Sequence, residues 1–176
     1  MIVVEEKLRE LFDLIPEIKV NENNINKPTF SWGNELALNQ FLLASFKDKT
    51  FKTYPLIWLL PSKDEYNSSL DILSKRVSLI ISTRETNKDY LNDTRLQKSF
   101  KYTLIPLVDY VLQALNNGSI TNSISIDIEQ FKYPNYAVDD QEPTIDRWDA
   151  IRIDLDVVFN NNCVNPIKWL KPKNVE

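Results

Sequence analysis

Residues 148 to 159 read Trp148-Asp-Ala-Ile-Arg-Ile-Asp-Leu-Asp-Val-Val-Phe159, and their pattern decides the fold class. Within this stretch every second residue from position 151 is apolar, and Arg152, Asp154 and Asp156 lie between the apolar residues. Successive side chains of a strand point to opposite faces, so a period of two places the apolar residues on one face. The stretch therefore predicts a strand with one face on a core and the other in water.

Three further segments favour strands. Tyr54-Pro-Leu-Ile-Trp-Leu-Leu60 is apolar without alternation, which is typical of a central strand that is buried on both faces. Arg76 to Thr83 is strongly strand-like, and we expect it to neighbour that strand. The alternation from Ile124 to Glu129 predicts a strand with one wet face, and the opposite parity of Phe131 indicates a bulge near Gln130.

A short strand is also predicted from Ile18 to Val20, and polar or proline-containing stretches separate the elements. We expect exposed loops or turns at residues 21–27, 62–69 and 133–144.

Two helices are predicted in the first third of the chain from apolar residues at helical spacing. The first covers residues 3–15, is amphipathic, and stops at Pro16. The second is capped by Asn34 and runs through Ser45, and we expect Trp32 to cover its start.

The longest helical pattern runs from Thr94 to Asn116. Pro106 interrupts it, which predicts either a kink or a break with the proline in the first turn of a second segment. The most basic stretch of the chain overlaps the start of this pattern. We interpret it as a solvated face, with phosphate contact as the alternative; its cations are Arg84, Lys88, Arg95, Lys98 and Lys101.

The chain has 176 residues, of which 43% are hydrophobic and 26% charged, and this suits one globular domain with one core. We expect residues 1–163 to form that domain and residues 164–176 to form a C-terminal tail. The elements predict an α/β or α+β fold, in which helices flank a mixed, mainly antiparallel sheet of about five strands.

Composition excludes several kinds of chemistry. There is no histidine, so Ser-His-Asp, Cys-His and zinc chemistries are excluded within the chain. The only glycines are Gly33 and Gly118, which excludes a Walker loop and a G-x-G-x-x-G phosphate cradle. Cys163 is the only cysteine, so no internal disulfide forms. We expect no cofactor, no metal ion and no catalytic residue.

The charge balance of 21 basic and 25 acidic residues lacks the positive field that wraps nucleic-acid phosphates. The apolar run between Pro55 and Pro61 is far shorter than a membrane span, and the N-terminus lacks the order of a signal peptide. We expect a cytoplasmic protein with no membrane partner.

Four carboxylates lie on the polar faces of two predicted strands: Asp127, Glu129, Asp154 and Asp156. An antiparallel pairing would gather them on one surface. A solvated sheet face is the interpretation that we favour. The alternatives are an acidic functional surface, such as a channel wall that repels DNA, and a metal-dependent nuclease or phosphatase site. Directly opposed carboxylates cost stability, so the register must stagger them or recruit cations.

Three aromatic residues are candidates for contact with a partner. Tyr133 and Tyr136 lie in a predicted exposed loop, and Trp169 lies in the tail. For the two tyrosines, packing that stiffens the loop is an equal alternative.

The order of elements resembles that of the tail-terminator, or tail-completion, proteins of long-tailed bacteriophages. The first helix and five quoted segments carry the resemblance, which covers most of residues 1–163: Tyr54-Pro-Leu-Ile-Trp58, Val77-Ser-Leu-Ile-Ile81, Asn92-Asp-Thr-Arg95, Phe100-Lys-Tyr-Thr-Leu-Ile-Pro-Leu107 and Trp148-Asp-Ala-Ile-Arg-Ile-Asp-Leu-Asp156.

The resemblance implies a small α/β domain that forms a homo-oligomeric ring, usually hexameric, between the tail tube and the head or neck. It implies no enzyme activity, a location in the virion after assembly in the host cytoplasm, and a lumen through which DNA passes without specific binding. Two alternatives stay open from the residues alone: a metal-dependent nuclease or phosphodiesterase that uses the acidic strands, and a cytoplasmic adaptor that binds another protein.

Overall fold

The computed structural model describes residues 3–21, 24–47, 52–67, 72–84, 90–117, 121–124, 128–136 and 148–160, which form an α+β fold as predicted. The helices are α1 (Val4–Phe12), α2 (Glu35–Lys47), α3 (Asn92–Arg95), a π-helix (Leu96–Leu104) and α4 (Ile105–Asn117). The strands are β1 (Ile18–Asn21), β2 (Asn24–Asn26), β3 (Thr29–Trp32), β4 (Leu56–Leu59), β5 (Asp64–Asn67), β6 (Ile72–Arg84), β7 (Thr121–Ile124), β8 (Glu129–Tyr136) and β9 (Trp148–Asn160).

Two strands of 13 residues, β6 and β9, form the centre of the main sheet. They pair antiparallel in unbroken register, from Ile72 opposite Asn160 to Arg84 opposite Trp148. At about 3.3 Å per residue the ribbon is roughly 43 Å long, about twice the length of an ordinary strand. Each outer edge of the ribbon therefore has room for two neighbouring strands in succession.

Those edges are filled by four shorter strands. β4 and β5 pair antiparallel with β6, and β8 and β7 pair antiparallel with β9. β3 is added parallel to β4. The sheet is mixed and mainly antiparallel, as predicted; its main path holds five strands, and β5 and β8 bring it to seven. β1 and β2 form a separate two-stranded sheet.

One face of the sheet, called face one here, is covered by α1, the π-helix and α4. The odd-numbered apolar residues of β9 are all buried in this core, as the alternation predicts. The prediction that the other face lies in water is wrong for Ala150 and Asp154, which are also buried. α1 contributes side chains at helical spacing because only one stripe of an amphipathic helix reaches the sheet. Its buried residues are Val4, Leu8, Leu11 and Phe12.

The opposite face, called face two here, is partly covered by α2. Leu38 and Leu42 on this helix pack in a second core with residues of β4, β6 and β9. Trp58 belongs to this second core whereas Ile57 belongs to the first, so β4 is buried on both faces, as predicted. β4 is an internal strand between β3 and β6, while β6 and β9 hold the centre.

The helical run from residue 92 to residue 117 contains a nine-residue π-helix that the sequence pattern does not predict. At its end the Ile105 N–H donates to the Phe100 carbonyl, five residues back. Pro106 follows at once, in the first turn of α4, where one of the two predicted arrangements places it. Pro106 has no N–H to donate to a helical hydrogen bond. It lies at the junction where the π-helical hydrogen-bonding pattern changes to the α-helical one.

Three segments that we predicted as loops contain strands, so those predictions were wrong. β2 lies within residues 21–27, β5 lies within residues 62–69, and β8 includes Tyr133 to Tyr136. Strand pairing uses backbone groups, and a neighbouring strand recruits polar segments whose side chains show no strand pattern. The remainder of the third predicted loop, residues 137–144, lies outside the described residues.

The predicted strand from Ile124 to Glu129 is also corrected. Ile124 ends β7 and Glu129 begins β8, and residues 125–127 lie outside the described residues. Gln130 pairs regularly with Ile153, so there is no bulge near it; the register shifts instead between Pro134 and Tyr136.

Trp32 does not cover the start of α2. Its ring lies 6.0 Å from the ring of Phe30, and the Arg9 guanidinium lies 4.5 Å from its centroid. Trp58 performs the expected role, because its Nε1 donates to the Gly33 carbonyl at 2.9 Å, next to the cap of the helix.

Asn34 caps α2 as predicted, since its Oδ1 accepts a hydrogen bond from the Ala37 N–H at 3.0 Å. We expect Asn34→Ala to lower the free energy of unfolding by about 1 kcal/mol, because a backbone N–H in the first turn loses its acceptor. Urea denaturation measures this change. Asn34→Asp is the matched control, because its carboxylate can accept the same bond, and a loss of similar size in both variants would contradict the capping role.

In the described part of the chain, no helix has the length and apolar character needed to cross a membrane. The expected boundary between residues 163 and 164 lies outside the described residues.

Candidate functional site

The acidic residues of β8 and β9 share face two of the sheet. Glu129 lies directly opposite Asp154, and Asp156 is two residues further along the same strand. Asp127, the fourth predicted member, lies outside the described residues. The pairing is antiparallel and does not stagger the carboxylates.

Cations compensate this opposition of like charges. Arg76 in β6 is the register partner of Asp156, and its Nη2 lies 3.4 Å from Glu129 Oε2. Arg152 Nε lies 3.1 Å from each carboxylate oxygen of Asp154, whose side chain is buried. Three carboxylates and two guanidinium groups leave this surface with a net charge of one negative.

The chemistry of this surface follows from these contacts. No group of three His, Cys, Asp or Glu side chains that could hold a metal ion occurs among the described residues. Asp154 is engaged by Arg152 and Glu129 by Arg76, so the arrangement is an ion-paired sheet surface. Such a surface presents mixed charge to a partner, and an exposed pair such as Arg76 with Glu129 adds little stability.

The candidate aromatic contacts lie partly within the described residues. Tyr133 is in the edge strand β8, half-buried against the second core. Its ring lies 6.2 Å from that of Phe131, which is 43% exposed. Phe131 was missed as a contact residue, although its two-residue spacing from Tyr133 places both on face two. Tyr136 lies in β8, but its side chain and Trp169 lie outside what the structure describes.

A second region of interest is an open groove of about 780 Å³, of which β3 forms one wall. The end of α1, strand β2 and α2 contribute the other walls. Charged and aromatic side chains line it, including Arg9, Asp13, Glu17, Lys27, Phe41 and Lys52.

Four of these charged groups are available to a partner. Asp13, Glu17, Lys27 and Lys52 are exposed, and none of them forms an ion pair with any described residue. Arg9 lies over the Trp32 ring. Sequence reasoning missed the groove because its walls come from separate segments whose proximity no local pattern reveals.

These features define an α+β protein with an ion-paired sheet face and a charged groove beside an edge strand. No family model matches the sequence, and no curated protein matches it.

Proposed function

We propose that this protein is a non-enzymatic structural protein of a bacteriophage, which forms a ring that caps the tail tube and joins it to the head or neck during virion assembly. Copies of the chain form the ring, and the tail-tube and neck or connector proteins are its partners. DNA passes through the ring without specific binding. The protein is made in the host cytoplasm and ends in the tail or neck of the virion.

The surface of α2 carries this proposal. Leu38 and Leu42 face the second core, but Leu36 is 65% exposed and Leu43 is 50% exposed on another side of the helix. Leu36 and Leu43 are seven residues apart and therefore share one face of the helix. A helix that is apolar on two sides is suited to burial on both, and exposed apolar patches mark interaction sites. An assembly protein needs such a surface.

Two further observations support the proposal. The helical layer on face one also has exposed apolar residues, including Leu96 and Tyr102, so apolar contacts are offered on both sides of the sheet. The ion-paired face near Asp154 carries a net charge of one negative, which suits a surface past which DNA moves without binding. The resemblance in element order to tail-terminator proteins is the reason for proposing a ring on the tail tube rather than another assembly.

The proposal is tested by the mass of the full chain in solution. We expect native mass spectrometry and light scattering across a concentration series to give one closed oligomer, because cyclic symmetry satisfies every interface. Electron microscopy of that species should show a central opening.

Two results would count against this function. One is a chain that stays monomeric at every concentration. The other is magnesium-dependent DNA cleavage that disappears in the double variant Asp154→Ala, Asp156→Ala, which would establish the nuclease alternative instead.

A further inference from the structure

In the part of the chain that the structure describes, β3 and β8 lie on opposite edges of the main sheet, in the same transverse rows. Among the described residues no strand pairs with the outer side of β3 or of β8. The registers of the intervening strands place the four residues of β3 in the same transverse rows as four residues of β8. Thr29 shares a row with Tyr133, and Trp32 shares a row with Gln130.

The strand directions at these two edges are opposite. β3 runs parallel to β4, and each of the next three pairings, β4 with β6, β6 with β9 and β9 with β8, is antiparallel. When a second copy is set beside the first in the same orientation, its β3 is therefore antiparallel to β8 of the first. Antiparallel pairing is the more stable arrangement per residue.

The backbone groups of β3 are positioned for such pairing. The N–H groups of Thr29 and Gly33 donate towards β4, to the carbonyls of Pro55 and Leu59. Because N–H groups along a strand alternate between its two edges, those of Phe30 and Trp32 point to the open edge.

The two prolines in this region fit the same alternation. A proline in an edge strand has its nitrogen on the free side, so Pro134 places the N–H groups of Lys132 and Gln130 on the open edge of β8. In the row-to-row arrangement Phe30 then meets Lys132 of the neighbouring copy, and Trp32 meets its Gln130. Pro28 meets Pro134, and the pairing ends there because neither residue has an N–H.

The side chains on both faces are complementary in the same arrangement. On face one, Lys132 would lie beside Phe30. The ring of Phe30 is 5.2 Å from that of Phe12, and the next residue, Asp13, lines the groove. The ammonium group would therefore enter the groove on the side of Asp13 and Glu17, and Arg9, which lies over the Trp32 ring, is the cation nearest this side. On face two, the exposed Phe131 would lie beside Ser31, the register partner of Trp58.

The ring of Phe41 on α2 lies 5.7 Å from that of Trp58 and lines the groove, so it would cover Phe131.

We infer that neighbouring copies of this chain join head to tail through their sheets, with β8 of one copy seated in the groove of the next and paired antiparallel with its β3. The inference rests on the proposed function, because it names the contact by which the ring closes. Each contact uses two different surfaces, which is the kind of interface that generates a ring when the rotation from copy to copy closes.

Charge exchange tests this contact in the full-length chain. Lys132→Glu should raise the concentration at which the ring forms by at least about tenfold, because its carboxylate would face Asp13 and Glu17. The double variant Asp13→Lys, Glu17→Lys should weaken the ring similarly. Combining the three substitutions should restore it, because the attraction is then reversed in sign.

Lys101→Glu is the matched control, since it makes the same charge change at an exposed site on the π-helix and should leave the ring intact. Circular dichroism confirms that each variant is folded. A wild-type ring that tolerates Lys132→Glu, or a triple variant with no recovery, would overturn the β3 to β8 contact and leave the proposed function standing. A wild-type chain that never forms a ring would overturn both.

Discussion

Asp149→Asn is expected to lower the free energy of unfolding by about 3–5 kcal/mol. Asp149 in β9 is fully buried, and its Oδ1 accepts a hydrogen bond from Arg95 Nη1 at 2.9 Å. The amide would leave the guanidinium in a low-dielectric site without its negative charge. The cost of a buried charge that loses its partner greatly exceeds the net contribution of the intact pair.

Chemical denaturation measures the effect, with Asp109→Asn as the control, because Asp109 is exposed on α4 and its change should be within about 0.5 kcal/mol. The double variant Arg95→Met, Asp149→Leu should recover much of the loss, since apolar side chains of similar length and shape remove both charges together. Equal stability of Asp149→Asn and the wild type would show that the pair is not needed to keep Arg95 buried.

Gly33→Ala is expected to lower the free energy of unfolding by about 2–4 kcal/mol. Gly33 has a φ of 139°, a region that residues with a Cβ rarely adopt, and an added Cβ would lie 2.6 Å from the Cβ of Ala37. The residue joins β3 to the cap of α2, and Trp58 donates to its carbonyl. The substitution therefore strains the backbone and forces α2 away from the sheet.

A double-mutant cycle separates the two causes. Ala37→Gly removes the atom that clashes, so Gly33→Ala should cost less in that background, and the part that remains measures the backbone strain. The thermal unfolding midpoint and urea denaturation both report it. An unchanged cost in the Ala37→Gly background would assign the whole effect to the backbone conformation.

The sequence predicted those elements whose signals are local. The alternation in β9, the apolar run of β4, the amphipathic α1 and the cap at Asn34 are all present because each depends on the period or chemistry of a few adjacent residues. β2, β5 and the end of β8 from Tyr133 were missed although each pairs with the strand next to it along the chain. Strand pairing uses backbone groups, and the side chains of these polar segments show no alternation that would reveal it.

The basic stretch shows this limit in a single residue. Arg95 was interpreted as part of a solvated face, yet it is 1% exposed. Its partner Asp149 is 54 residues away, and the backbone carbonyl of Tyr90 accepts a further hydrogen bond from its Nε. Composition marks an arginine as exposed by default, and only the fold supplies the carboxylate that permits its burial.

For the candidate site, the residues alone indicated that carboxylates on two strands meet on one face, and that opposed carboxylates require cations. The tertiary structure decided that Glu129 faces Asp154 and that Arg76 and Arg152 supply the cations. It also decided the alignment of the β3 and β8 edges, which depends on four successive strand registers. Side-chain periodicity is a property of each segment alone, whereas register arises from contacts between segments that folding brings together.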